Sequence, residues 1–351
     1  ISPDNLRLTD SRWEIVESWN LGANLTLFDD LLQFAFNYYN KVTDDLLMPG
    51  VGIPQSTGYS SLAWKNVGSL RNRGWELFLN TGKFAKVGKF SMRMNFNIAQ
   101  NINTITNMDA SVLAANNEDY TYANGAIMKR VQIGNALGGI YGFRYLGVYA
   151  FDYDHNGYFL NEDKNTYWDA EGNPNAAGLY NRPDDPLYGK FYDPAKAKLA
   201  PIVFDAQGNV VYDKNGNPLP MYFNYGGKNY QFQGGDAIYD DINHDGNIDE
   251  LDIVYLGSSN PKINGGFGVD FVYGQWQLKT SFNFRIGNKI INMARLNAES
   301  MVSNKNQSAA VSHRWRKNGQ VTQIPRAMSS NVTATYNSLI SDRYVEPGDF
   351  L

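Results

Sequence analysis

Between residues 19 and 38 the chain alternates with a period of two. Apolar side chains hold the odd positions Trp19, Leu21, Ala23, Leu25 and Leu27, with Asn20, Gly22, Asn24 and Thr26 between them. After Asp29-Asp30 the apolar set moves to the even positions Leu32, Phe34, Phe36 and Tyr38. Period two belongs to a strand, and the parity switch keeps both apolar sets on one face of a hairpin. A second copy sets Trp75, Leu77 and Leu79 against Phe90, Met92, Met94, Phe96 and Ile98; its opposite face carries Glu76, Asn80, Arg93, Asn95 and Asn97. In a third, Phe267, Val269, Phe271 and Tyr273 precede Gly274-Gln275, and Trp276, Leu278, Thr280, Phe282 and Phe284 follow. Runs of ten or more alternating residues exceed the roughly 5–6 of ordinary strands. They match the ~9–11 residues with which a tilted strand crosses a bilayer. Aromatics flank each turn (Phe28, then Phe84 and Phe90, then Tyr273 and Trp276), as in the girdles of outer-membrane barrels.

The pattern divides the chain. Residues 1–100 predict transmembrane hairpins with short periplasmic turns near 29–30 and 83–89, broken by an irregular Pro/Gly-rich connection over 41–68. Residues 101–261, rich in Asn, Asp, Gly, Pro and Tyr, predict a large extracellular loop region with local hairpins at Asp205–Asn209 and Asp213–Asn217. Residues 262–290 predict one more transmembrane hairpin, and 291–351 a loop leading into a truncated strand. Short turns at one end and long loops at the other mark an outer-membrane barrel, whereas such loops are rare in compact soluble domains. The fold class is therefore all-β, a segment of a large antiparallel transmembrane β-barrel. Six long strands are too few to close a barrel that passes a solute, so a longer polypeptide is expected. The alternative is a soluble, calcium-stabilised glycan-binding or glycan-cleaving β-protein with one wet sheet face.

Composition narrows the choice. No apolar run approaches the ~18 residues of a membrane-spanning helix, which leaves the barrel as the only way to span. A net charge of −4 speaks against a nucleic-acid partner. The chain has no cysteine, so disulfides, thiolate metal sites and a cysteine nucleophile are excluded within it.

One motif carries explicit chemistry. Asp241, Asn243, Asp245, Asn247, Asp249 and Asp252 stand at positions 1, 3, 5, 7, 9 and 12 of a loop with Gly246 at position 6. That spacing suits a hard cation wanting six to eight oxygens, and makes the set a candidate Ca2+ site. Asp replaces the usual Glu at position 12, and the bland alternative is an Asx-rich turn that satisfies its own backbone. Asp152, Asp154, Asn156 and Asp163 form a weaker candidate, with Leu160 where an oxygen ligand belongs. No organic cofactor motif is present. His155 and His244 fall between ligand positions of these loops, and His313 lies in the basic run His313–Lys317. Neither a paired metal-binding histidine motif nor a nucleophile elbow occurs, so no catalytic residue is assigned and no enzyme is expected. Loop aromatics Trp64, Tyr120, Tyr122, Trp168, Tyr180, Tyr188, Tyr192 and Trp315 could stack on sugar rings or pack the loops together.

Several dispersed runs carry a resemblance. They are Asn20–Leu25, Phe36–Leu47, Ser56–Tyr59, Asn66–Leu77, Gly138–Gly147, Asp240–Asp249, Gly257–Lys262, Gly287–Ile290 and Val345–Leu351. In that order they resemble the SusC/RagA family of TonB-dependent outer-membrane transporters. The resemblance implies part of a 22-stranded barrel with an N-terminal plug, in the outer membrane of a Gram-negative bacterium. It also implies a SusD-like surface lipoprotein as lid, energy from the TonB complex through parts outside this chain, and an oligosaccharide or peptide as cargo.

Overall fold

The computed structural model describes residues 5–6, 11–52, 61–83, 85–110, 132–151, 198–225, 228–301, 306–317, 319–328 and 335–351. Six long strands dominate it: β1 Ile15–Leu27, β2 Leu32–Asp44, β3 Gly68–Thr81, β4 Phe90–Met108, β5 Ile263–Tyr273 and β6 Trp276–Ile286. They form one antiparallel sheet in plain chain order, and the short strand Ala85–Val87 pairs with the start of β4.

The turns follow from local chemistry. Phe28, Asp29 and Asp30 all have positive φ, and the Leu31 N–H donates to the Phe28 carbonyl. Positive φ at both central residues gives the mirror-image turn whose twist suits a hairpin, and Asp tolerates it. The turns after β1, β3 and β5 lie at one end of the sheet, because Leu27 pairs with Leu32, Leu32 with Thr81, and Tyr273 with both Phe90 and Trp276. The long connections leave from the other end.

Register turns alternation into faces. Leu25, Phe34, Leu79, Phe96, Phe267 and Phe282 are successive cross-strand partners, so one apolar row crosses all six strands. Ala23, Phe36, Leu77, Ile98, Gly265 and Phe284 form the next row on that face. A Cβ on Gly265 would stand 2.7 Å from the Phe284 ring, so the glycine makes room for the neighbouring aromatic.

Two stretches differ from the sequence reading. The Asn-rich residues 101–108 continue β4, because Gly68–Arg73 of β3 pairs with them and tertiary pairing overrides their weak strand propensity. Within the 41–68 connection, Leu47–Gly52 pairs with Ser61–Asn66. Leu47–Gly52 is the edge of its three-stranded sheet, the place where Pro49 is tolerated.

The buried core lies in the loops. Tyr141, Phe143, Tyr149, Phe223, Phe232, Tyr239, Ile248, Tyr336 and Leu339 pack into one cluster, and Phe223 stacks on Tyr336 with ring centres 4.4 Å apart. The sheet behaves differently: Leu21 is 69% exposed, Leu278 60% and Trp276 81%. An apolar face of this size left in water would be an association surface.

Candidate functional site

The polar face of the sheet is the first candidate surface. Its rows run Thr26–Gln33–Asn80–Asn95–Gly268–Ser281 and Asn24–Ala35–Phe78–Asn97–Gly266–Asn283. Carboxamides bond along it: Asn80 donates to Gln33 at 3.2 Å, and Asn101 and Asn103 both donate to the Asn72 oxygen. The Tyr39 hydroxyl donates to Asn101 at 3.2 Å. The Tyr39 ring lies over Gly74, where a Cβ would stand 2.6 Å from the hydroxyl. Small residues Gly22, Ala35 and Ala99 leave an open depression of about 500 Å³ edged by Asn24, Asn37, Glu76 and Phe78. This wall offers donors, acceptors and an aromatic ring, and little net charge. It suits a hydrated, hydroxyl- or amide-rich solute.

The acidic loop is the second. Its residues are drawn in by the core below: Ile248 is fully buried, and Tyr222–Phe223 pairs with Asn247–Ile248. Gly246 has φ 83°, and a Cβ there would meet Val203 at 2.6 Å. Three predicted ligands gather around Asp245. The Asp245 N–H donates to Asp241 and to Asn243, each at 3.2 Å; Asn243 donates to the Asp245 carboxylate at 2.8 Å, and the Asn247 N–H does so at 2.8 Å. Asp241 also accepts from the Gly246 N–H, and Asp249 accepts from the Leu251 N–H.

Asp252 is turned the other way. One of its oxygens accepts from the Ile242 N–H at 2.8 Å and the other from the Asp249 N–H at 3.0 Å, closing a capping box on the 3₁₀ turn Glu250–Asp252. Burial pushes its carboxyl up to about 7, against the lowering effect of those two donors. Burial also raises Asp241 and Asp249. Among the described residues no group of three or more His, Asp or Glu side chains is arranged to hold a metal ion. The Asx-turn reading thus accounts for most of the hydrogen bonds in this loop. Asp152, Asp154, Asn156 and Asp163 lie outside the described residues, as do all the named loop aromatics except Trp64 and Trp315. Trp315 packs inward, its indole N–H donating to the Ala150 carbonyl at 3.1 Å.

Two ionic networks centred on buried carboxylates join distant loops. Asp236, fully buried, accepts from Arg326 at 2.8 Å, from the Tyr230 hydroxyl at 2.7 Å and from Asn337 at 3.1 Å. Glu299 bridges Arg295 at 3.0 Å and Arg343 at 2.7 Å. Arg295 and Glu299 are an i,i+4 pair on one helical turn, but Arg326 and Asn337 reach Asp236, and Arg343 reaches Glu299, only through the folded loops.

Comparison with known proteins joins these surfaces to a family. No family model matches the chain. Three TonB-dependent receptors of Formosa agariphila do. P39 is 29% identical over 362 residues, P3 24% over 352 and P26 26% over 349, in each case covering at least 99% of this chain. The fold matches the RagAB peptide transporter with a TM-score of 0.54 at 18% identity, over 96% of this chain and 28% of that one. The RagAB peptide importer in its closed-closed state matches with a TM-score of 0.56 at 17% identity, over 96% of this chain and 28% of that one. Over nearly its whole length the chain is similar to TonB-dependent receptors, and its fold is that of part of the RagAB barrel. It spans 29%, 26% and 27% of the lengths of the three Formosa receptors. The six-stranded antiparallel sheet, with its loops packed at one end, matches a segment of the RagAB fold.

Proposed function

We propose that this chain supplies part of the wall and the outer loops of an outer-membrane importer, with its apolar face toward lipid and its polar face toward the lumen. The observation that carries this is the row Leu25–Phe34–Leu79–Phe96–Phe267–Phe282, which leaves the sheet greasy on one side and carboxamide-lined on the other. In this role the chain binds and passes a solute and performs no covalent chemistry. The cargo is an oligosaccharide, favoured by the near-neutral, donor- and acceptor-rich polar face. A peptide is the second reading, favoured by the likeness to the RagAB peptide transporter. A SusD-like lipoprotein closes over the packed loops, and TonB supplies the energy through parts of the polypeptide beyond this chain.

The oxygen-bearing side chains at alternate positions of Asp241–Asp252 support calcium as a stiffener of the crown. Taking calcium there requires Asp252 to give up the Ile242 and Asp249 amides, and no transport step is routed through the ion.

The experiment is uptake by bacteria with the chromosomal gene deleted and then restored. Labelled oligosaccharides and labelled peptides are offered separately. Loss of oligosaccharide uptake with peptides unaffected is the expected result, and the reverse makes the cargo a peptide. Unchanged uptake of both, with the protein recovered in the soluble fraction, overturns the importer reading.

A further inference from the structure

The apolar face changes character abruptly toward the loop end. Above the two apolar rows, Leu21, Tyr38 and Trp75 are successive partners, and the Trp75 indole N–H donates to Gln100 in the same row at 3.0 Å. Trp19 lies one step further up and touches Tyr38, ring centres 5.4 Å apart. These are rings with an apolar body and a polar edge, the kind that sits at the lipid–water boundary.

Immediately beyond them the same face presents two guanidiniums. Arg73 pairs across strands with Asn40 and Ile102, and Arg71 with Val42 and Thr104. Their odd numbers give them the parity of Trp75, Leu77 and Leu79, so they project outward and not into the lumen. Both are exposed. Among the described residues neither forms an ion pair. Arg71 is nonetheless positioned, because its Nε donates to the nearly buried Asn40 at 2.6 Å.

Height places them. From Phe90 to Gln100, β4 climbs about 25 Å at ~3.3 Å per residue and a tilt of ~40°. That equals the lipid-facing band of an outer-membrane barrel. Arg73 and Arg71 stand one and two residue pairs above it, within the headgroup layer. Two outward cations there, one braced by an amide, match the bidentate geometry that arginine offers a phosphate.

We infer that Arg71 and Arg73 form a clamp for the phosphate of an anionic lipid in the leaflet on the loop side. The inference rests on the membrane reading above. The full-length receptor is placed in nanodiscs of a zwitterionic lipid, doped with a phosphorylated acyl-glycolipid or with the same lipid stripped of phosphate. Lipid retained on the protein is measured by native mass spectrometry. Wild type retains the phosphorylated lipid about tenfold over the stripped one, the scale of one charge-assisted bidentate contact. R71Q/R73Q falls to the stripped level, and R71K/R73K stays between. Excess inorganic phosphate fails to displace the lipid.

Equal retention of the two lipids by wild type overturns the clamp. So does unchanged retention by R71Q/R73Q, or full displacement by inorganic phosphate, which marks a soluble-anion site. A bimane on Leu25→Cys, mid-face and quenched by brominated acyl chains, separates the two failures. Quenching without phosphate preference sinks the clamp alone, and absence of quenching sinks the membrane reading itself.

Discussion

Phe96 of β4 stands directly opposite Phe267 of β5. Through that pair the apolar row passes from the first two hairpins to the last, although the main loop region separates them in sequence. Phe267 also stacks on Phe282, ring centres 4.8 Å apart and planes within 17°. Phe267→Arg places a cation near the middle of the lipid-facing band and costs about 2–4 kcal/mol of folding into bilayers. Ser281→Arg, on the polar face, costs well under that. Denaturant titration of the full receptor in vesicles measures both. Equal costs mean that the two faces are not differently solvated.

A second prediction concerns Glu299 and Arg343, each with a side chain only 5% exposed. Removing one member of a buried pair strands the other charge, at a cost of about 3–5 kcal/mol. Glu299→Gln therefore destabilises the loop unit strongly, whereas replacing Glu299 by Leu together with Arg343 by Met costs much less. Arg295 retains Glu346, 3.4 Å away, in that double variant. Limited proteolysis of the loops, scored by half-life, checks the order. A single variant as resistant as wild type contradicts it.

The hairpins were legible because their information is local. Leu25 opposite Phe34 follows from parity and a two-residue turn, and the paired register is the one alternation predicts. The packed crown was not legible. Tyr141, Phe223 and Tyr336 meet in one cluster from segments with no shared period, so apolar residues among Asn and Gly read as isolated loop positions. Asp252 shows what spacing alone leaves open. Its spacing marks position 12 of a cation loop, and in the fold it also caps a turn through two backbone donors. Spacing along a chain fixes which oxygens are near one another but not the direction in which each points.

Asp252 also predicts a pH dependence. Its carboxyl titrates near 7 in the folded loop, against about 3.9 unfolded. Between those values the folded loop holds a proton that the unfolded loop has released. Stability of the loop therefore falls as pH rises from about 4 to about 7, and is level above. Hydrogen exchange at the Ile242 and Asp249 amides, both bonded to this side chain, reports it: protection corrected for intrinsic exchange is higher at pH 5 than at pH 8. In Asp252→Asn the slope disappears. A slope that survives the substitution assigns the titration to another group.

Calcium reverses the sign of that slope, and this makes the calcium proposal decidable. A cation needs Asp252 and Asp241 ionised, so binding releases protons and strengthens with pH. With millimolar calcium present, protection of Asp241–Asp252 rises from pH 5 to pH 8. With chelator it falls. Asp245→Ala removes the carboxylate that accepts from the Asn243 side chain and the Asn247 N–H, and abolishes the calcium effect while leaving the acid-side protection by Asp252. If protection falls with pH whether or not calcium is added, the loop is an Asx-capped turn and the oxygen spacing serves its own backbone.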